Sequence, residues 1–132
     1  MRYLLDTHAF IWTMFSPSKL SRRAENVISD TGNQIFVSVV SFWEISLKYA
    51  LKKLDLTGAM PDDLPDAALE TGLDILPLAA AEAARSHRLP RMAHRDPFDR
   101  LIIWQAIEQK MPLISRDRQF QKYSKAGLKV FW

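Results

Sequence analysis

Four acidic residues occupy positions in this sequence where their carboxylates could act together. Asp6 ends the apolar run "RYLLD", and Asp117 follows the apolar run "MPLIS" by two residues. Glu44 lies in an amphipathic segment that follows another apolar run, and Asp99 lies in the first turn of the segment "PFDRLIIWQA". Ligands of open parallel sheets bind outside the carboxyl ends of the strands. We therefore expect all four side chains to meet at one edge of a sheet.

Four carboxylates at one edge favour a divalent metal ion between them. Without a cation they would repel one another, and some would take up protons. Mg²⁺ prefers carboxylate oxygens and keeps several of its waters, whereas zinc would require a spacing of cysteines or histidines that this sequence lacks. Such an ion can activate water and stabilise charge on phosphate oxygens. The sequence thus predicts attack of water on a phosphate ester, with one metal ion or two.

Three of these acids also have an interpretation that involves structure alone. Asp6 and Asp117 could each cap the helix that follows, and Glu44 could form an i,i+4 ion pair with Lys48. Such a pair contributes only a few tenths of a kcal/mol. Glu44, however, stands among apolar neighbours, which is an unusual setting for a surface ion pair.

The motif "DPFD" leaves the role of its second aspartate open. Asp96 is placed to be the N-cap of a helix, with Pro97 as the first helical residue. Asp99 could then reach back towards the cap, as in a capping box. From this motif alone, a structural and a catalytic role of Asp99 are equally open.

Apolar runs that alternate with helical patterns predict the fold. Strands are expected in "RYLLD", "NQIFVSV", "GLDILPL", "MPLIS" and "LKVFW". Helices are expected after Asp6 and over residues 22–29, 41–54, 61–71, 79–87, 97–110 and 116–126. This alternation indicates an α/β fold with a mostly parallel central sheet of about five strands, sandwiched by helices. Residues 1–132 are expected to form a single domain.

The composition is that of a folded protein that carries no disulfide. Hydrophobic residues make up 48% of the 132 residues and charged residues 25%, and there are no cysteines. We therefore expect no thiolate metal site, and a reducing cytoplasm as the compartment. Asp6 and His8 interrupt the apolar N-terminal stretch, which predicts neither a signal peptide nor a membrane-spanning helix.

Basic residues gather ahead of and around "DPFD". The net charge is only +3, a mild preference for polyanions. Arginines of this stretch could contact phosphates at the mouth of the acidic site, or they could form an ordinary solvated face. The candidate phosphate-binding residues, which would bind RNA if the substrate is RNA, are Arg85, Arg88, Arg91 and Arg95.

Four motifs of this sequence resemble those of the PIN domain. They are "LLDTHAFIW", "SVVSFWEIS", "HRDPFDRLIIWQA" and "LISRD", and the resemblance is to the small bacterial members, the VapC toxins of type II toxin–antitoxin pairs. It spans essentially the whole chain. It implies a Rossmann-like PIN fold, an endoribonuclease that depends on Mg²⁺ or Mn²⁺, inhibition by a VapB-type antitoxin, and commonly a homodimer.

The resemblance also implies roles for individual residues. Asp6 and Asp99 correspond to direct Mg²⁺ ligands. Glu44 and Asp117 correspond to residues that bind a second ion or orient metal-bound waters. Two hydroxyl residues occupy accessory positions, Thr7 and Ser115, although the family often has threonine in the latter. Asp96 is then the structural cap, and Asp99 is functional.

Other functions remain as alternatives. A PIN-like module without activity could bind RNA or protein, although the four intact acids argue against it. A response-regulator receiver or an aspartyl phosphatase would need further acids or a lysine where His8 and Ser115 stand. A metal-free ribonuclease could use histidines, for which His8, His87 and His94 are the candidates.

Several aromatic residues have two possible locations. Three tryptophans lie in apolar helical stripes and are expected in the core rather than as platforms for bases: Trp12, Trp43 and Trp104. Trp12 is also a candidate, with Phe15 and Leu51, for a surface that binds the antitoxin or a second copy.

Overall fold

The centre of the fold is a parallel sheet of five strands in the order β3-β2-β1-β4-β5. A computed structural model describes residues 1–92 and 94–132. The strands are β1 (Arg2–Leu5), β2 (Gln34–Ser38), β3 (Asp74–Leu76), β4 (Leu113–Ile114) and β5 (Val130–Phe131). All four pairings between neighbours are parallel. The predicted α/β fold with a mostly parallel sheet is confirmed.

Helices connect the strands. The α-helices are α1 (Thr7–Phe15), α2 (Arg22–Ser29), α3 (Val39–Ala50), α4 (Leu64–Glu70), α5 (Ala80–Arg85) and α6 (Pro97–Gln109). Shorter 3₁₀ turns cover Pro17–Lys19, Pro61–Asp63, Ser86–Arg88 and Arg118–Ala126. No helix of the described residues is long and apolar enough to span a membrane.

Two hydrophobic cores cover the two faces of the sheet. Alternate strand residues point to opposite faces, so that Leu4 and Leu113 join α6 on one face while Leu5 and Ile114 join α1, α2 and α4 on the other. Helix α3 contributes to both cores, because Val40 belongs to the first and Ile45 to the second. Helix α3 is therefore fixed at the carboxyl edge of the sheet.

The strand register brings polar residues side by side at this edge. Leu5 of β1 pairs with Val37 of β2 and with Ile114 of β4, and the next residue of the first strand is Asp6. The connections from β1 and β4 run towards opposite edges of the sheet, which makes the gap beyond these two strands the expected ligand crevice.

The apolar stripe that was predicted to bury helix α3 is exposed, and the predicted core position of Trp43 is wrong. The predicted stripe consists of Trp43, Leu47, Ala50 and Leu54. Trp43 is 58% exposed, Leu47 and Ala50 are also exposed, and only Leu54, beyond the end of the helix, is half-buried. Val40 and Ile45 face the two cores instead, and the helix ends at Ala50 rather than at residue 54.

Residues 118–126 form 3₁₀ turns instead of the predicted α-helix. Phe120 and Tyr123 are both buried, and their spacing of three matches the three residues per turn of a 3₁₀-helix. The segment ends at Gly127, whose φ of 107° lies in the left-handed region.

Candidate active site

Asp6 follows the central strand directly and begins helix α1. Its Oδ1 accepts a hydrogen bond of 2.8 Å from the backbone N–H of Ala9, so the predicted cap is present. Asp6 is nevertheless only 5% exposed. Burial raises its pKa, the hydroxyl of Ser115 and the amide of Ala9 lower it, and the charge of Glu44 raises it further. Capping does not require a buried carboxylate, so a second role is indicated.

Glu44 is held by hydroxyl groups from helices α1 and α3. Thr7 donates from Oγ1 to Glu44 Oε1 over 2.7 Å, and the Oγ atom of Ser41 lies 2.9 Å from the same Thr7 hydroxyl. Glu44 is buried, and its Oε2 forms the i,i+4 ion pair with Lys48. The pair that was considered as a structural alternative therefore exists, but it lies in the interior of the site.

Lys48 supplies positive charge to several carboxylates at once. Burial lowers its pKa, whereas the hydrogen bond and charge of Glu44 and the charges of Asp96 and Asp99 raise it, and the net direction is upward. The ammonium group thus lies within electrostatic reach of acids from both α3 and the start of α6.

The two aspartates of "DPFD" make different contacts. Asp96 Oδ1 accepts hydrogen bonds from the backbone N–H groups of Phe98 (2.9 Å) and Asp99 (3.1 Å), which is the predicted N-cap. In the described part of the chain, Asp99 makes no return bond of a capping box; its Oδ2 lies 2.8 Å from Nε2 of His94. Burial, followed by the charge of Asp96, raises the pKa of Asp99 to about 6, against the lowering effect of His94.

Asp117 lies beyond β4, across the crevice from Asp6. Its Oδ1 accepts a hydrogen bond of 2.9 Å from the N–H of Gln119, and its own N–H donates to Ser115 Oγ over 3.0 Å. Unlike Asp6, it is exposed. Both aspartates line one cavity of about 220 Å³, together with His8, Trp12 and Arg116.

The four predicted acids form adjoining pairs at the carboxyl edge; together they are the acidic cluster: Asp6, Glu44, Asp99 and Asp117. The charge of Glu44 acts on both Asp6 and Asp99, and Asp6 shares its cavity with Asp117. The charge of Glu44 thus links three of the four carboxylates, and the fourth, that of Asp117, faces the same cavity as Asp6.

The chemistry of the acidic cluster fits a hard divalent cation. Within residues 1–92 and 94–132, no three acidic or histidine side chains converge closely enough to hold a metal ion as they stand. Lys48 and His94 contact two of the carboxylates instead. Carboxylate oxygens are the ligands that such a cation prefers, and binding would require it to replace these two contacts.

Comparison with known proteins identifies the fold family. The family model of the PIN domain matches residues 3–126. The chain belongs to the PIN-domain family. Ribonuclease VapC22 of Mycobacterium tuberculosis (strain ATCC 25618 / H37Rv) is 29% identical to this PIN domain over 121 residues, which are 91% of this chain and 90% of that protein. The resemblance predicted from the four motifs is confirmed.

Solved structures share the PIN fold over the whole chain. The structure of VapBC2 from Rickettsia felis, bound to a DNA fragment from its promoter, matches with a TM-score of 0.71 at 18% identity and covers 100% of this chain and 99% of that one. FitAcB from Neisseria gonorrhoeae matches with a TM-score of 0.60 at 20% identity, over 100% of this chain and 97% of that one. At these identities the likeness concerns the fold.

The predicted RNA-binding arginines of this PIN domain differ in their surroundings. Arg85 Nε donates to Glu108 Oε1 over 2.7 Å, so its charge is already paired. Arg88 is exposed. Arg91 and Arg95 are exposed and line a cleft of about 300 Å³.

A larger groove opens on the other side of the acidic cluster. Its volume is about 440 Å³, and Trp12, Phe15, Glu44 and Lys48 are among the residues that line it. Trp12 and Phe15 are half-buried, so these aromatic side chains of α1 remain accessible there. Leu51, the third residue predicted for this surface, is exposed but does not line the groove.

The sequence analysis gave no role to two residues of the site, Ser41 and Arg116. It considered Lys48 only as a structural partner of Glu44, and His94 only for a metal-free ribonuclease. Helical spacing could have indicated Ser41, because it lies three residues before Glu44. His94 and Arg116 depend on how loops fold back, for which the sequence carries no periodic signal.

Proposed function

We propose that this PIN domain is the toxin of a type II toxin–antitoxin pair and cleaves RNA as a metal-dependent endoribonuclease. The acidic cluster is the observation that carries the proposal, because it buries Asp6 and Glu44 within electrostatic reach of each other. Burial of like charges costs free energy unless a cation binds between them. The similarity to a protein named as a VapC ribonuclease, over nine-tenths of both chains, supports the same function.

PIN-domain ribonucleases of the VapC type generally depend on a divalent metal. We infer Mg²⁺, with Mn²⁺ as a substitute, because the acidic cluster offers carboxylate oxygens. Asp6 and Asp99 would bind directly, and Glu44 and Asp117 would hold a second ion or orient its waters. When bound, the metal supplies positive charge for phosphate oxygens and makes water more acidic.

The surrounding residues hold the carboxylates in place. Thr7 fixes one oxygen of Glu44, and Ser115 contacts Asp6 while it accepts a hydrogen bond from the N–H of Asp117. These contacts support the accessory roles that we propose for Thr7 and Ser115. Asp96 is the N-cap of α6 and would not bind the metal ion.

RNA would reach the acidic cluster along basic loops. Among residues 1–92 and 94–132, Arg88, Arg91 and Arg95 form no salt bridge and could contact phosphates, whereas Arg85 must first leave Glu108. We propose RNA as the substrate and the cytoplasm as the place of action.

A VapB-type antitoxin is the proposed partner. An apolar segment of the antitoxin would occupy the groove beside Trp12 and Phe15. An arginine or lysine of that segment would bind the acidic cluster by charge-assisted hydrogen bonds. Homodimerisation, which is common among such toxins, stays a prediction.

Metal removal tests the proposed function. RNA cleavage by the purified protein should cease in EDTA and return with Mg²⁺ or Mn²⁺, whereas Ca²⁺ should support little turnover because its looser coordination positions water and phosphate poorly. The assay follows RNA fragments on a denaturing gel, with Asp99→Asn as the control for contaminating nucleases. Full cleavage in EDTA would contradict the proposal and favour a mechanism based on histidine.

A further inference from the structure

A second arginine cleft adjoins the acidic cluster on the side of Asp117. Its volume is about 250 Å³, and Arg116 and Asp117 line both this cleft and the cavity that contains Asp6. The other lining residues are Arg23, Ser115, Arg118, Gln121, Val130 and Trp132. The sequence motifs gave no role to these arginines.

The charges of this cleft are available to a ligand. Arg23, Arg116 and Arg118 are exposed, and within residues 1–92 and 94–132 none of the three forms a salt bridge. Arg85, by contrast, is paired with Glu108. Asp117 is the single acid among the lining residues.

Aromatic rings orient two of the arginines. They also line the passage between this cleft and Asp6. The guanidinium of Arg23 lies 4.6 Å from the ring centroid of Phe131, and that of Arg116 lies 6.0 Å from the centroid of Trp12. The rings of Trp12 and Trp132 are 5.9 Å apart. Guanidinium groups held in this way lose less freedom when they bind phosphate.

We propose that this cleft, lined by Arg23, Arg116 and Arg118, binds the phosphates of single-stranded RNA next to the cleaved bond. Guanidinium groups bind phosphates by forked hydrogen bonds, and half-buried indole rings accept only unstacked bases. The acidic cluster repels a polyanion, so binding of the strand requires positive charge immediately beside it. This inference rests on the proposed function as an RNA-cleaving enzyme.

Binding to a non-cleaving protein tests the cleft. In an Asp99→Asn background, the change Arg23→Ala/Arg118→Ala should weaken binding of an unstructured, fluorescently labelled RNA about tenfold or more. The slope of log K against log salt should fall by about 0.7 for each lost contact. The matched control is Arg2→Ala/Lys129→Ala, which removes two exposed charges at the opposite edge of the sheet and should leave binding unchanged. If the double variant folds poorly, Arg118→Glu replaces it in the assay. This variant leaves the stacked Arg23 in place and should show the same loss of RNA binding.

Cleavage assays distinguish a failure of the cleft proposal from a failure of the proposed ribonuclease function. In the active protein, the arginine variants should raise the KM for long RNA, whereas the control variant Arg2→Ala/Lys129→Ala should leave its cleavage unchanged. The proposed role of the cleft would be wrong if the arginine and control variants weakened RNA binding equally. It would also be wrong if the arginine variants weakened binding of the antitoxin but not of RNA. If the wild type binds RNA through these arginines but cleaves none with any divalent metal, the proposed function fails and the cleft stands.

Discussion

Asp96 and Asp99 lie in the same helical turn and differ in what they contact. The Asp96 carboxylate accepts two backbone N–H groups, whereas Asp99 faces His94 and carries a raised pKa. We expect Asp99→Asn to abolish RNA cleavage in a folded protein, and Asp96→Asn to keep most of it because asparagine is an equally good N-cap. Initial rates and circular dichroism of both variants test this. An active Asp99→Asn beside an inactive Asp96→Asn would reverse the two roles.

The raised pKa of Asp99 links metal-free stability to pH. Its folded-state pKa of about 6 exceeds the ordinary value of 3.8, so its contribution to stability is fully present below the ordinary value and is lost as pH rises through about 6. The contribution is on the order of 2 kcal/mol.

In EDTA, Asp99→Asn should therefore unfold at higher urea concentration than the wild type at pH 7.5, and the difference should shrink towards pH 4.5. Urea titrations of both proteins from pH 4.5 to pH 7.5 measure this difference in stability. A difference that does not change with pH would mean that Asp99 is not strained by burial. Asp6, whose pKa is raised in the same direction by burial, should behave similarly.

At the scale of single residues, the sequence predicted the acids and the Glu44–Lys48 ion pair, but not the contact between Asp99 and His94. Asp6 and Asp117 were found because strand ends share an edge of the sheet. His94, which contacts Asp99, lies in an irregular loop where neither periodicity nor capping rules fix a side chain. Which residue neutralises a buried acid depends on tertiary packing.

At the scale of elements, a buried polar network fixes helix α6 against its neighbours. The hydroxyl of Ser38, which caps α3, is hydrogen-bonded to Gln105 of α6, and Gln105 Nε2 donates to Pro77 O (3.1 Å) and to Glu82 Oε1 (3.2 Å). Gln105 is fully buried. This network joins the two helices that carry Glu44 and Asp99.

Gln105→Leu should lower the free energy of unfolding by about 2 kcal/mol, because it leaves buried polar partners without hydrogen bonds. Gln119→Leu, an exposed position, is the control and should change stability by less than about 0.5 kcal/mol. Urea denaturation measures both. A neutral Gln105→Leu would show that the network contributes no net stability.

The sequence predicts which segments are helices and strands better than it predicts which face of a helix is buried. Trp43, Leu47 and Ala50 form a regular apolar stripe, yet α3 turns this stripe to solvent because Val40 and Ile45 already fill the two cores. Periodicity identifies a helix, but it does not say which of two apolar faces meets the sheet. The 3₁₀ turns of residues 118–126 were missed for a related reason, since the spacing of Phe120 and Tyr123 suits either helix type.

At the scale of the whole molecule, the groove beside the acidic cluster gives a test of control by the antitoxin. A peptide from the C-terminal segment of the antitoxin should inhibit cleavage, because it places a cation against Asp6, Glu44 or Asp99. Replacement of that cation by alanine should weaken inhibition tenfold or more, about 1.4 kcal/mol. Inhibition constants from RNA cleavage measure the effect. Equal inhibition by both peptides would mean that the apolar groove alone blocks the site.

The central position of β1 also governs when the proposed ribonuclease activity can arise during synthesis of the chain. Leu4 of β1 pairs with Leu113 of β4, from which it is separated by most of the sequence. Asp117 lies after β4 in the sequence. A contact between such distant residues forms late, because a long loop must close first. A nascent chain on the ribosome therefore carries Asp6 and Glu44 long before it has a complete acidic cluster. Synthesis itself would thus delay the proposed activity until β4 and β5 emerge, which would leave the proposed antitoxin time to bind the chain as it folds.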